Sequence, residues 1–300
     1  MVPDGAWHEF KVYHISLRAA EFRGERKRPE GRRVILYNAG LNDTAAVRLD
    51  GVTRSFESYT AVAGITLEVR SGKFVSIVGP SGCGKSTILS LAAGLLAPSS
   101  GTVAIFGEPL IGINRRASYM FQQDALLPWK TVLDNIALGP VLRGVPREQA
   151  RQKAAEWVQR VGLDGFADRY PYQLSGGMRK RAAMAQSWIV DPDIVLMDEP
   201  FSALDIHTRL RMESEVLAIW AGSSKTVVFV THDLEEAIAL SDEVIVLSAG
   251  PASHIVGVYA VDLVRPRNLI DIKLEPRFAE LYRSIWTDLR GEVLKSYAKS

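Results

Sequence analysis

Residues Gly79–Thr87 read GPSGCGKST and follow directly on the apolar run Phe74-Val75-Ser76-Ile77-Val78. Gly79, Gly84, Lys85 and Ser86 satisfy the pattern G-x-x-x-x-G-K-[ST]. Glycines let backbone N–H groups turn inward and approach phosphate oxygens. A helix that starts in the loop adds the partial positive charge of its N-terminus. Ile88, Leu89, Leu91 and Leu95 give the following segment the apolar spacing of such a helix. Lys85 is then placed to reach the β- and γ-phosphates, and Ser86 to ligate Mg²⁺. Strand, glycine loop and helix together predict a site for a nucleoside triphosphate. Cys83, the only cysteine, lies inside the loop. It is either a thiol activated by the loop amides and helix end or simply a small side chain.

Working outward, Ile194-Val195-Leu196-Met197 runs into Asp198-Glu199-Pro200. An apolar strand ending in two acids puts carboxylates at the sheet edge where open α/β folds bind ligands. Asp198 suits Mg²⁺, and Glu199 could polarise an attacking water. Leu174 to Met178 read LSGGM, opening a helix that continues Arg179-Lys180-Arg181. Ser175, Gly176 and Gly177 offer a hydroxyl and open amides at a helix start. His232 follows the apolar run Val227–Val230 and is flanked by Thr231 and Asp233. It either caps a turn or contacts phosphate.

The strand-like runs Phe74–Val78, Ile194–Met197, Val227–Val230 and Val244–Leu247 alternate with helical patterns such as Arg147–Val161 and Gly177–Ile189. Val47-Arg48-Leu49 and Ile65-Thr66-Leu67-Glu68-Val69 alternate apolar with polar residues, as half-buried strands do. The predicted fold class is α/β with a largely parallel sheet. Residues 1–45 differ: Arg18 to Arg33 hold seven basic residues against three acids with little apolar periodicity. This reads as a mobile, solvated extension, or alternatively as a patch for anionic lipid headgroups. Residues 266–300 form an amphipathic segment, with Phe278, Leu281, Tyr282, Ile285, Trp286, Leu289 and Val293 at helical spacing. That helix is expected to pack back on its own domain, a partner groove being the alternative.

Composition sets outer bounds. A net charge of +2 over 300 residues argues against a general nucleic-acid binder. No apolar stretch approaches the ~18 residues of a bilayer span. The start MVPDGAWHEF lacks the pattern of a signal peptide. The chain is therefore expected to be made in the cytosol and to stay there.

The order of motifs resembles the nucleotide-binding subunits of ABC transporters. GPSGCGKST is followed by FQQ with Gln122, then LSGGM, IVLMDEP, SALD ending at Asp205, and THD with His232. The resemblance covers residues 46–265. It implies a P-loop ATPase with an antiparallel β subdomain and an inserted helical subdomain at about 123–178. It also implies that Phe56 stacks on adenine, with Tyr59 the alternative. Gly79, Pro80, Ser81, Gly82, Cys83, Gly84, Lys85, Ser86 and Thr87 would hold the phosphates of ATP. Ser86, Asp198 and Gln122 would hold Mg²⁺, with Gln123 competing for the role of Gln122. Glu199 would be the general base and His232 would contact the γ-phosphate. Ser175, Gly176, Gly177 and Asp205 would act across a head-to-tail dimer that closes over two ATPs.

Met178 stands where the LSGG motif usually ends in Gln, as in importers for nitrate, sulfonates and taurine. Leu126–Gly139, LLPWKTVLDNIALG, and Leu247–Ser253, LSAGPAS, resemble that subgroup too. The implied partners are a second copy of the chain, membrane permease subunits met through the segment carrying Pro128 and Trp129, and indirectly a solute-binding protein. The implied location is the cytoplasmic face of the inner membrane. Exporter ATPases share these motifs, so import rests on the subgroup resemblance. A soluble ABC-type ATPase would usually add a coiled-coil insertion or a second cassette, and a P-loop kinase would not need LSGGM.

Overall fold

The structure, a computed structural model, describes residues 45–202 and 204–298. The basic stretch Arg18–Arg33 lies outside them. The first sheet-forming strands are β1 (Ala45–Phe56) and β2 (Tyr59–Arg70), followed by β3 (Phe74–Val78) and the helix α1 (Lys85–Ala92). Next come β4 (Ser100–Ile105), β5 (Glu108–Pro109) and β6 (Ala117–Met120). Four helices follow: α2 (Val132–Ile136), α3 (Leu138–Leu142), α4 (Arg147–Arg160) and α5 (Gly176–Trp188). The chain then alternates through β7 (Ile194–Asp198), α6 (Ile206–Ala221), β8 (Thr226–Val230), α7 (Leu234–Leu240) and β9 (Glu243–Leu247). It ends with β10 (Ile255–Ala260) and α8 (Pro276–Tyr297).

Two sheets result. One is antiparallel, in the order β2-β1-β4-β5. The other has the order β10-β9-β3-β8-β7-β6, parallel from β9 to β6 with β10 antiparallel at one edge. The parallel strands are covered on both faces, and their near-continuous apolar runs follow from that. Successive residues alternate between the two cores. Phe74, Val195, Met197, Val227 and Phe229 pack with helices α2 and α4 to α8 on one face. Val75, Ile77, Leu196, Val228 and Val230 pack with α1 and the antiparallel sheet on the other. The resulting architecture is an α/β P-loop fold with a separate antiparallel β layer and a helical insertion between β6 and β7.

This topology brings four strand ends together. In a parallel sheet all carboxyl ends point one way, and ligands bind in the crevice outside them. β3 ends in the glycine loop, its neighbour β8 in Thr231-His232, β7 in Asp198-Glu199 and β6 in Phe121-Gln122. The loop at 248–254 sews the antiparallel layer to this edge. Ser253 takes a β-bridge to Val62, and its hydroxyl donates to the carbonyls of Ala61 at 3.2 Å and of Cys83.

In α8 the buried stripe is Phe278, Leu281, Ile285 and Leu289. Tyr282 and Trp286 sit at its margin, where their rings stack on each other with centroids 6.3 Å apart. The seven apolar residues at helical spacing are thus more than one flank of a helix can bury.

Candidate nucleotide site

Gly84 initiates α1 with φ 89 and no side-chain cap, which leaves the amides of the first turn open toward the loop. Only glycine fits there, because a Cβ would also lie 2.7 Å from Val62 Cγ1 and 3.3 Å from the Ala61 carbonyl. Lys85 is buried beneath the loop and its ammonium donates to the carbonyls of Gly79 at 2.9 Å and Pro80 at 3.1 Å. These contacts hold a positive charge under the loop in a fixed place. A cleft of about 420 Å³ opens above it. Its walls include Phe56, Tyr59, Ser81, Gly82, Gly84, Lys85, Ser86, Thr87, Gln122 and Glu199.

Phe56 and Tyr59 both stand at the rim, so each is available to a base. Phe56 has the Arg54 guanidinium 4.5 Å from its ring centroid, while Tyr59 donates its hydroxyl to the Gly82 carbonyl at 3.4 Å. Cys83 is fully buried, and desolvation pushes its thiol up rather than down. The structure therefore corrects the activated-thiol expectation: burial outweighs the neighbouring Lys85 charge and the loop amides.

Glu199 is the hub of the acidic side. His232 Nδ1 lies 3.1 Å from its Oε2, Gln122 Nε2 donates to the same oxygen at 3.3 Å, and Lys85 Nζ is 4.0 Å from Oε1. Its backbone has φ +43, a left-handed conformation that costs a non-glycine residue on the order of 1–3 kcal/mol. The turn is held by Glu199 N–H donating to Val230 O at 2.9 Å and by Ser202 Oγ donating to Glu199 O at 3.1 Å. Gln123 is exposed and is not part of the cleft wall, so of the two adjacent amides it is Gln122 that meets the carboxylate.

Asp198 is engaged on both oxygens. Ser86 Oγ donates to Oδ1 at 3.0 Å and Tyr119 Oη donates to Oδ2 at 3.1 Å. Burial and the Asp198 charge push the Tyr119 phenol well above its ordinary range, so it remains a donor. The sequence gives no hint of Tyr119, because a tyrosine in a short strand carries no signal for a partner on another strand. Ser86 and Asp198 bring hard oxygen donors within hydrogen-bond distance of each other at the mouth of the phosphate loop. That donor chemistry fits Mg²⁺.

Ser175, Gly176, Gly177 and Asp205 are not part of the cleft wall. Ser175 caps α5, its Oγ accepting from Met178 N–H at 3.3 Å, and Asp205 caps α6, accepting from Thr208 N–H at 3.0 Å. Ser175 and Gly176 are exposed. A Cβ on Gly177 would lie 2.8 Å from Thr208 Cγ2, so glycine there lets the starts of α5 and α6 approach.

Residues 62–202 match the family model described as ABC transporter. The chain is 44% identical over 254 residues to an uncharacterised ABC transporter ATP-binding protein of Methanocaldococcus jannaschii, spanning 83% of this chain and 93% of that protein. It is 40% identical over 205 residues to the taurine import ATP-binding protein of Yersinia pestis, spanning 68% of this chain and 80% of that one. Among solved structures it resembles a dimeric ATP-binding cassette bound to ADP and phosphate. That match has a TM-score of 0.64 and 32% identity, and covers 73% of this chain and 100% of the other.

Proposed function

The chain belongs to the ATP-binding proteins of ABC transporters, and from that premise we propose that it hydrolyses ATP to energise an importer for a small solute such as nitrate, a sulfonate or taurine. It works docked on membrane-spanning permease subunits at the cytoplasmic face of the inner membrane, with a solute-binding protein acting indirectly. Two copies close head to tail over two ATPs. The relative named for taurine import and the dimeric cassette support this reading.

One observation carries the chemistry: Lys85, Gln122 and His232 all converge on the Glu199 carboxylate beside the glycine loop. Phe56 stacks on the base. Amides of Gly79–Thr87 and the start of α1 bind the phosphate chain, and Lys85 offsets its charge. Ser86, Asp198 and Gln122 are the residues that would hold Mg²⁺, and the ion would supply charge neutralisation to the phosphate chain. Glu199 accepts the proton of the attacking water. With Nδ1 of His232 turned to Glu199, Nε2 is the nitrogen that meets the γ-phosphate. Ser175 and Gly177 complete the partner copy's site, and Asp205 lies at the same closing face.

Replacing the proton acceptor tests this. Glu199→Gln should keep ATP binding yet lose about 10²- to 10⁴-fold in hydrolysis, because the amide preserves shape without accepting a proton. It should accumulate as an ATP-bound dimer. Lys85→Ala should weaken binding itself. Single-turnover hydrolysis and sedimentation with ATP read these outcomes; a parental rate in Glu199→Gln would move the base role to His232.

A further inference from the structure

Gln122 and the Ser175–Gly177 turn lie on different elements, yet buried charges join them. Lys180 on α5 is only 4% exposed. Its ammonium donates to the Gln122 carbonyl and lies 3.4 Å from Asp124 Oδ1. The neighbouring Arg179 donates from Nε to Asp124 Oδ2 at 3.1 Å and from Nη1 to the Leu174 carbonyl at 2.8 Å. One carboxylate, two residues after Gln122, therefore takes both cations from the start of α5. The Arg179 guanidinium also grips the peptide just before Ser175.

A buried ammonium is tolerated only where it is paired and hydrogen-bonded. Sliding the Gln122 segment past α5 would strip Lys180 of its carbonyl acceptor and of its counter-ion, so the two are held together. At the other end, the Gln122 side chain donates to Glu199 at 3.3 Å. A continuous polar path thus runs from Glu199 through Gln122 and Asp124–Lys180–Arg179 to the turn at Ser175.

We propose that Lys180 and Asp124 are positioning residues that lock the backbone of Gln122 to the start of α5, so that the LSGG turn follows the state of the phosphate cleft on its own chain. This rests on the reading of Ser175–Gly177 as the partner-facing contact. Coupling of this kind is reciprocal: closure of the LSGG turn on a partner's ATP also fixes Gln122 over the chain's own cleft. Neither residue forms the cleft wall, so the lock acts on dimer closure and turnover rather than on first capture of ATP.

The test uses the full chain carrying Lys180→Met, which keeps the stem and removes the ammonium, and Asp124→Asn, which removes the charge at constant shape. ATP affinity of the monomer, read with a fluorescent ATP analogue, should stay within about twofold. kcat should fall about tenfold with little change in KM, as for an interaction felt in turnover and not in first binding. In a Glu199→Gln background each substitution should lower the dimer fraction at a given ATP concentration. The double variant should lose less than the sum of the two single losses, since the two residues share one contact. If Lys180→Met folds poorly, Lys180→Gln keeps a donor for the Gln122 carbonyl and should retain more of kcat than Asp124→Ala. Unchanged kcat and dimerisation in folded variants overturn the proposal. So does a parallel loss of monomer ATP affinity, which would put the pair in the cleft itself. A Glu199→Gln parent that stays monomeric with ATP instead overturns the dimer reading beneath it.

Discussion

Asp198 receives a protein hydrogen bond on each carboxylate oxygen, from Ser86 on one side and Tyr119 on the other. The serine comes with the glycine loop and is readable as part of a motif. The tyrosine is not, because it reaches Asp198 only through the parallel pairing of β6 with β7, which sets Met120 beside Met197 and Tyr119 beside Leu196. Its phenol fixes the rotation of a carboxylate whose other oxygen faces the phosphate loop. Tyr119→Phe deletes that one hydrogen bond and keeps the ring contact with Phe121, whose centroid is 4.3 Å away. The Mg²⁺ concentration for half-maximal nucleotide binding and hydrolysis should rise about five- to tenfold, from loss of a contact worth about 1–1.5 kcal/mol. Nucleotide binding measured in EDTA should not change. An unchanged Mg²⁺ titration would mean that Ser86 alone orients Asp198.

At the scale of elements, α6 and α7 meet over a cluster of charges behind His232. Arg209 on α6 donates to Asp233 Oδ2 at 3.3 Å and to the Leu204 carbonyl at 3.3 Å, and its Nε is 3.6 Å from Glu236 Oε1. Thr231 donates to Glu236 Oε2 at 2.6 Å. The turn bearing His232 is therefore braced against the turn bearing Asp205. Glu213 lies in the same cluster, 3% exposed, facing Glu236, Asp233, Arg209 and Lys273. Burial first, and then the Glu236 charge, push its carboxyl up to about 8. A carboxyl raised in the folded state favours folding while protonated. Its contribution is intact below the unfolded value of about 4.3 and is lost as pH rises through about 8. Glu213→Gln stays neutral at every pH. Its stability advantage over the parent should therefore widen with pH by at most about 1.4 kcal/mol per unit and level off above about pH 8. Urea unfolding at several pH values reads this, and a constant gap would show that Glu213 does not titrate in the fold.

Across the molecule, what the sequence made legible is what local chemistry encodes. The glycine loop, the acids ending β7 and the apolar parallel strands each announce themselves within a few residues. The contacts made only by packing do not: Tyr119 on Asp198, Lys180 on the Gln122 carbonyl and Arg209 across two turns join residues 24 to 79 positions apart. The C-terminal segment shows the same limit. Its helical spacing is plain, but the spacing alone leaves open whether the stripe faces this chain or a partner. In the structure Phe278, Leu281, Ile285 and Leu289 join the core beneath α7 and β9, and Glu292 accepts from the Ala249 N–H at 2.9 Å. Ile285 is fully buried. Burial of four such side chains contributes roughly 6–12 kcal/mol, comparable to the whole stability of a typical domain. Ile285→Ala should therefore destabilise the isolated chain by about 2–5 kcal/mol in urea, through lost transfer energy and the cavity left behind. ATP hydrolysis at 20 °C should stay within about twofold of the parent, because no residue of α8 forms the nucleotide cleft wall. A helix that served only a partner would give the opposite pair of results: unchanged stability alone, and a defect only when the partner is present.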